Sequence, residues 1–326
     1  MLPTSTQQPA ATRDMLAGSQ TLFELARRGK RLTPWFVALP LLFAFFACLL
    51  LAYVIMVLLG LGPILNAWGS SKNVSLQALS LLIQTAFQYS FVILGVALWV
   101  RLYEGRPFWT LGFQAQGAAS KILRGFLAGL AMFALSIGVL WLTGSVRSIN
   151  NTPDQIGWSA LSGVLIVLPA FLIQGPTEEI LMRGWLMPTQ GARYRPWVGI
   201  ALSTITFTLL HIPDHLGSYN LLSALVLIVV SLFLAGYALL EGSIWGVCAW
   251  HAAWNWAEGN IFGMQVSGMT ISGGTLIKLA PSGPDWLTGG VYGPEASVPV
   301  LAILLSGLAW ICYRLYRRSR TYVQAL

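Results

Sequence analysis

The chain has 326 residues, of which 56% are hydrophobic and only 9% are charged, with a formal net charge of +8. Soluble domains carry about 25% charged residues, so this composition excludes an ordinary soluble globule and points to an integral membrane protein. The positive balance invites a nucleic-acid reading, but most basic residues flank apolar runs, where membrane topology accounts for them and nucleic acid is not expected as a partner.

A membrane-crossing helix needs roughly 20 apolar residues. Several continuous runs meet that length, and none shows the short alternating segments of a β-barrel. The predicted fold is all-α: a polytopic membrane helical bundle with spans near 35–60, 76–100, 122–143, 158–188, 197–211, 221–240, 243–262 and 298–316.

Residues 1–33 form a polar N-terminal segment, read as a solvated tail with a topology signal; within it MLAGSQTLFELARR has the character of a short interfacial helix. The first apolar run, from Trp35 to about Leu65, exceeds a signal-peptide core, so no cleavable leader is expected. Residues 34–320 then form the membrane domain and 321–326 a short C-terminal tail. Residues 263–296, rich in Gly, Ser and Pro, are too long for a simple turn and are expected to fold over the outer mouth or re-enter the bundle.

Under eight-span alternation one side collects Arg27, Arg28, Lys30 and Arg31, then Arg101, Arg106, Lys121 and Arg124, then Arg193 and Arg195, and finally Arg314, Arg317, Arg318 and Arg320. The opposite loops hold few cations, among them Lys72, Arg147 and Lys278. Both termini are therefore expected in the cytoplasm, with the plasma membrane as host. Cys48, Cys248 and Cys312 lie in apolar runs without metal spacing and read as small buried hydrophobes.

Charge inside the apolar runs is the informative exception. QGPTEEILMRGW, residues 174–185, sets Glu178, Glu179 and Arg183 at depth. Pro176 either opens a helix there or kinks one long helix from about 158 to 188. Glu179 and Arg183 are four apart and share a face, whereas Glu178 points about 100° away. One carboxylate is thus charge-compensated and the other is left for chemistry. An acid at bilayer depth costs roughly 2.5–3.5 kcal/mol on insertion scales, which makes function the default reading.

Two of the three histidines lie in apolar runs with a partner on the same face: Phe207 with His211 in FTLLH, and His251 with Asn255 in HAAWN. At about 1.5 Å rise per residue, Glu178, His211 and His251 lie roughly 15, 20 and 12 Å from their cytoplasmic helix ends, so they can meet at one level. His215 and Asp214, after Pro213, are expected in an outer loop. Trp250, Trp254 and Trp256 read as packing or cavity wall, and Glu258 as a cap near the outer interface.

This set suits amide hydrolysis. Glu178 can take a proton from a water that a histidine also holds, while His251 and Asn255 donate to the developing oxyanion. Alternatively, Glu178, His211 and His251 are ligands for Zn²⁺ or another divalent metal, with a position left open for water. The sequence permits both.

TEEILMRG, FTLLH and HAAWN, in that order on successive apolar segments, resemble the CPBP family of intramembrane CAAX-type prenyl-protein endopeptidases and bacteriocin-processing or self-immunity proteins. Its pattern is EExxxR, FxxxH and HxxxN, matched here at Glu178–Arg183, Phe207–His211 and His251–Asn255 within residues 158–260. The resemblance implies Glu178 as general base, His211 as holder of water or a metal, and His251 with Asn255 as the oxyanion site. Glu179 and Arg183 would support them. It implies an intramembrane endopeptidase, glutamate-type or metal-dependent, acting on a membrane-associated or lipidated peptide in the bilayer. A non-catalytic membrane scaffold or bacteriocin self-immunity protein is the alternative.

Overall fold

The computed structural model describes residues 21–211 and 221–324. Twelve α-helices follow in chain order: α1 (Thr21–Arg27), α2 (Trp35–Leu58), α3 (Leu61–Gly69), α4 (Val74–Trp99), α5 (Ala118–Leu142), α6 (Leu161–Glu179), α7 (Met187–Arg193), α8 (Pro196–Leu210), α9 (Leu221–Glu241), α10 (Trp245–Trp256), α11 (Asp285–Thr288) and α12 (Val298–Gln324). Among the described residues one small sheet forms, with Val146–Ser148 antiparallel to Leu279–Pro281.

The chain is an all-α polytopic membrane bundle. Each of the eight predicted runs coincides with a helix, and among the described residues six helical stretches are long and apolar enough to cross a bilayer. The other two, α8 and α10, are shorter, and they carry the FTLLH and HAAWN motifs.

Small residues set the closest helix approaches. A Cβ on Gly125 of α5 would lie 2.1 Å from the carbonyl oxygen of Gly246, and one on Gly129 would lie 2.4 Å from that of Trp250. The pair forms a Gly-xxx-Gly stripe that presses α5 onto α10. Gly175 of α6 does the same on another face of α10, where a Cβ would meet the backbone of Ala252 and the ring of His251. Helix α10 is consequently buried along almost its whole length.

Pro176 lies inside a continuous helix rather than at a helix start. From Leu161 the chain runs through α6, a π-helical stretch at Ile180–Leu186 and α7 without leaving helical geometry. Such π segments concentrate at functional sites, because the wider turn re-aims the side chains beside it.

Three expectations are corrected. The stretch expected as a solvated tail contains α1, within the run given the character of a short helix, but the helix is not solvated: Leu22, Phe23 and Leu25 join the main core and Ala26 is buried beside them. Its period is amphipathic, and α7 supplies the apolar partner. Arg106, counted as a topology cation, is fully buried with Glu104 at 2.7 Å. Thr33 and Trp185 also donate to that carboxylate, at 2.7 and 3.0 Å. Finally, Cys248 is buried as expected, but Cys48 is half-buried and Cys312 faces outward.

Candidate active site

Glu178, His211, His251 and Asn255 converge on one cavity of about 380 Å³. Phe171, Leu227, Val230, Trp250 and Trp254 give it an apolar wall, and Val266, Ser267, Met269, Ile271 and Glu295 of the long loop close one side. The loop thus lines the cavity on one side. Trp256 points elsewhere, its indole donating to the Val164 carbonyl at 2.9 Å.

The two glutamates are separated as the helical spacing predicts. Glu179 is fully buried and accepts from Arg183 Nη1 at 2.9 Å and from His251 Nδ1 at 2.9 Å. Arg183 also donates to the carbonyl and hydroxyl oxygens of Ser231, at 3.1 and 2.9 Å. Its guanidinium lies 4.7 Å from the Phe207 ring centre, and that ring packs against His211 at 4.4 Å between ring centres, tilted by 43°. Glu179, Arg183 and Phe207 therefore pack in a continuous row that touches both His211 and His251.

Glu178 has one occupied oxygen and one free. Oε1 accepts from Gln174 Nε2 at 2.5 Å. Oε2 is buried without a hydrogen bond, 4.0 Å from Nε2 of both His211 and His251. Hydrogen-bond partners fix the ring tautomers. His211 Nδ1 lies 2.7 Å from the Phe207 carbonyl, which can only accept, so Nδ1 carries a proton. His251 Nδ1 faces the Glu179 carboxylate and is a donor for the same reason. Both Nε2 atoms consequently turn toward Glu178 Oε2.

Gln174 was not among the residues expected at the site. It donates to Glu178 and accepts from Asn255 Nδ2 at 3.2 Å, joining α6 to α10. Its position four residues before Glu178 in the sequence is the signal that would have found it. Glu258 is corrected: it is fully buried rather than capping an outer interface. The helix continues past α10 as a π turn, and the loop then folds back over it, with Met264 N bonding to the Glu258 carbonyl. His215 and Asp214 lie outside the described residues.

Tetrahedral Zn²⁺ with bonds of about 2.0–2.1 Å holds its ligand atoms roughly 3.3 Å apart. Here the carboxylate oxygen is 4.0 Å from each imidazole nitrogen. Among the described residues no group of three His, Cys, Asp or Glu side chains is disposed to hold a metal ion. A gap of 4.0 Å suits a shared water, since two hydrogen bonds of about 2.8 Å meeting near 90° span it.

Residues 160–257 match the family of type II CAAX prenyl endopeptidase Rce1-like proteins, a stretch that holds all three motifs and Gln174. No curated protein and no solved structure matches the chain.

Proposed function

We propose that this chain, a member of the CPBP family of CAAX-type proteases through residues 160–257, is an intramembrane endopeptidase that uses Glu178 to activate water against a peptide bond. The substrate is a membrane-associated or lipidated peptide, whose apolar part the cavity walls would accept. The observation that carries the reading is the free, buried Oε2 of Glu178 facing two imidazole nitrogens across a water-sized gap.

The two histidines differ by what lies behind them. His211 rests on a neutral carbonyl, so the neutral ring offers Nε2 as an acceptor to the attacking water. His251 stands between the Glu178 and Glu179 carboxylates, a setting that suits the imidazolium. Water held by Glu178 Oε2 and His211 Nε2 gives one proton to Glu178 as its oxygen bonds to the scissile carbon. The carbonyl oxygen becomes an oxyanion, receiving hydrogen bonds from His251 Nε2–H and from the second Nδ2–H of Asn255. Collapse breaks the C–N bond, and Glu178 returns its proton to the leaving nitrogen, giving a new amine and a new carboxylic acid that keeps the second proton of the water until it passes to the amine. No step runs through a metal.

On this reading both termini face the cytoplasm, which the basic segments support through the positive-inside rule, and the host is proposed to be the plasma membrane. The test compares peptide termini in membranes of native cells that carry the wild type or Glu178→Gln at equal abundance. Particular termini should vanish in the variant while their longer precursors accumulate. Identical terminal profiles, in conditions where the protein is in use, would sink the catalytic reading in favour of a binding scaffold.

A further inference from the structure

At the end of the bundle where the basic segments gather, a second pocket of about 450 Å³ is lined by Arg27, Lys30, Arg31, Tyr103 and Arg193. It does not depend on the protease reading. The turn after α1 builds it: the backbone N–H groups of Lys30 and Arg31 both point at the Glu104 carbonyl, at 2.7 and 3.4 Å. Gly29 permits that approach, because a Cβ there would lie 2.8 Å from the same oxygen. Arg193 closes the far side by donating to the Leu32 carbonyl at 2.8 Å.

Among the described residues the pocket is lined by four cations and no acid. Among the described residues none of the four is in an ion pair. The nearby acid, Glu104, is unavailable, since its carboxylate is taken up inside the bundle by Arg106, Thr33 and Trp185. A topology signal requires cations on this side but does not require them to share a pocket.

Level in the membrane identifies the occupant. Trp35 and Phe36, which open α2, are exposed, as are Trp109, Tyr194 and Trp197. Exposed aromatics beside the start of a membrane-crossing helix mark the headgroup layer. Unneutralised cations at that layer fit a phosphate ester. We infer that the pocket formed by Arg27, Lys30, Arg31 and Arg193 binds the phosphate headgroup of an anionic phospholipid.

Native mass spectrometry and thermal unfolding of the full chain in detergent, titrated with phosphatidylglycerol or phosphatidylcholine, test this. Phosphatidylglycerol should be retained and should raise the unfolding midpoint, and phosphatidylcholine should do neither. The double variant Lys30→Gln/Arg31→Gln should bind phosphatidylglycerol about tenfold more weakly or worse. The control Arg314→Gln/Arg320→Gln, which removes two exposed cations of α12, should bind as wild type. Lys30→Arg/Arg31→Lys keeps the charge and should retain the lipid, which separates lost binding from lost folding. Equal retention by the glutamine double variant, or equal loss by the control, would overturn the proposal. So would inorganic phosphate alone reproducing the midpoint shift, which would mark a site for a free anion.

Discussion

Glu178 has two oxygens in two different environments, and that asymmetry is set by one neighbour. Gln174 occupies Oε1 and, through its own carbonyl, fixes which way the Asn255 amide points. Gln174→Leu should leave Glu178 free to rotate and Asn255 free to flip. Turnover is expected to fall by about tenfold to a hundredfold with little change in KM, as small misplacements of reacting groups cost. The unfolding midpoint in detergent should barely move. An unchanged turnover beside a dead Glu178→Gln would remove Gln174 from the machinery while leaving the base in place. At this scale much of the site was legible. Charge at depth and spacing of four marked Glu178, Glu179, Arg183, His211, His251 and Asn255, because each is costly in an apolar run. Gln174 was missed because an uncharged amide stands out less, and Glu258 was misplaced because its burial depends on a distant loop.

Helix α10 carries His251 and Asn255 on a frame too short to be judged a span by length and composition, so its neighbours must fix it. Glycine does this on two sides, at Gly125 and Gly129 of α5 and at Gly175 of α6. Gly125→Val would drive its side chain into the Gly246 carbonyl, an overpacking that costs about 1–3 kcal/mol or more. The expected result is a lower unfolding midpoint and a parallel loss of turnover, since His251 moves with the helix. Gly138→Ala, on the same helix with open space around its Cβ position, should be neutral or slightly stabilising. Similar midpoints for the two variants would show that close approach is not what holds α10. Hydrophobic runs located these helices well. They left open how α6 continues, since proline at 176 is compatible with a start or a kink, and neighbouring helices select the continuous form.

Over the whole molecule, residues far apart in sequence close the cavity. Glu295, near the end of the long loop, accepts from Trp254 Nε1 at 3.2 Å and from the backbone and hydroxyl of Ser267 at 2.8 and 2.6 Å. Ser267 holds a φ of +46°, a left-handed conformation that costs a non-glycine residue energy and needs such bonds to persist. Glu295→Ala should loosen the loop, seen as faster cleavage within 263–296 by an added protease while the helices stay protected. Unchanged cleavage would mean that other contacts fasten it. The sequence by itself determined the membrane class, the helical runs and the charged set, because burying a charge or exposing an apolar run carries a cost visible residue by residue. Only the tertiary structure decided which oxygen of Glu178 is free, that Arg106 and Glu104 are consumed in the interior, and that a distant loop walls the cavity. Those outcomes rest on distances between segments that no local pattern encodes.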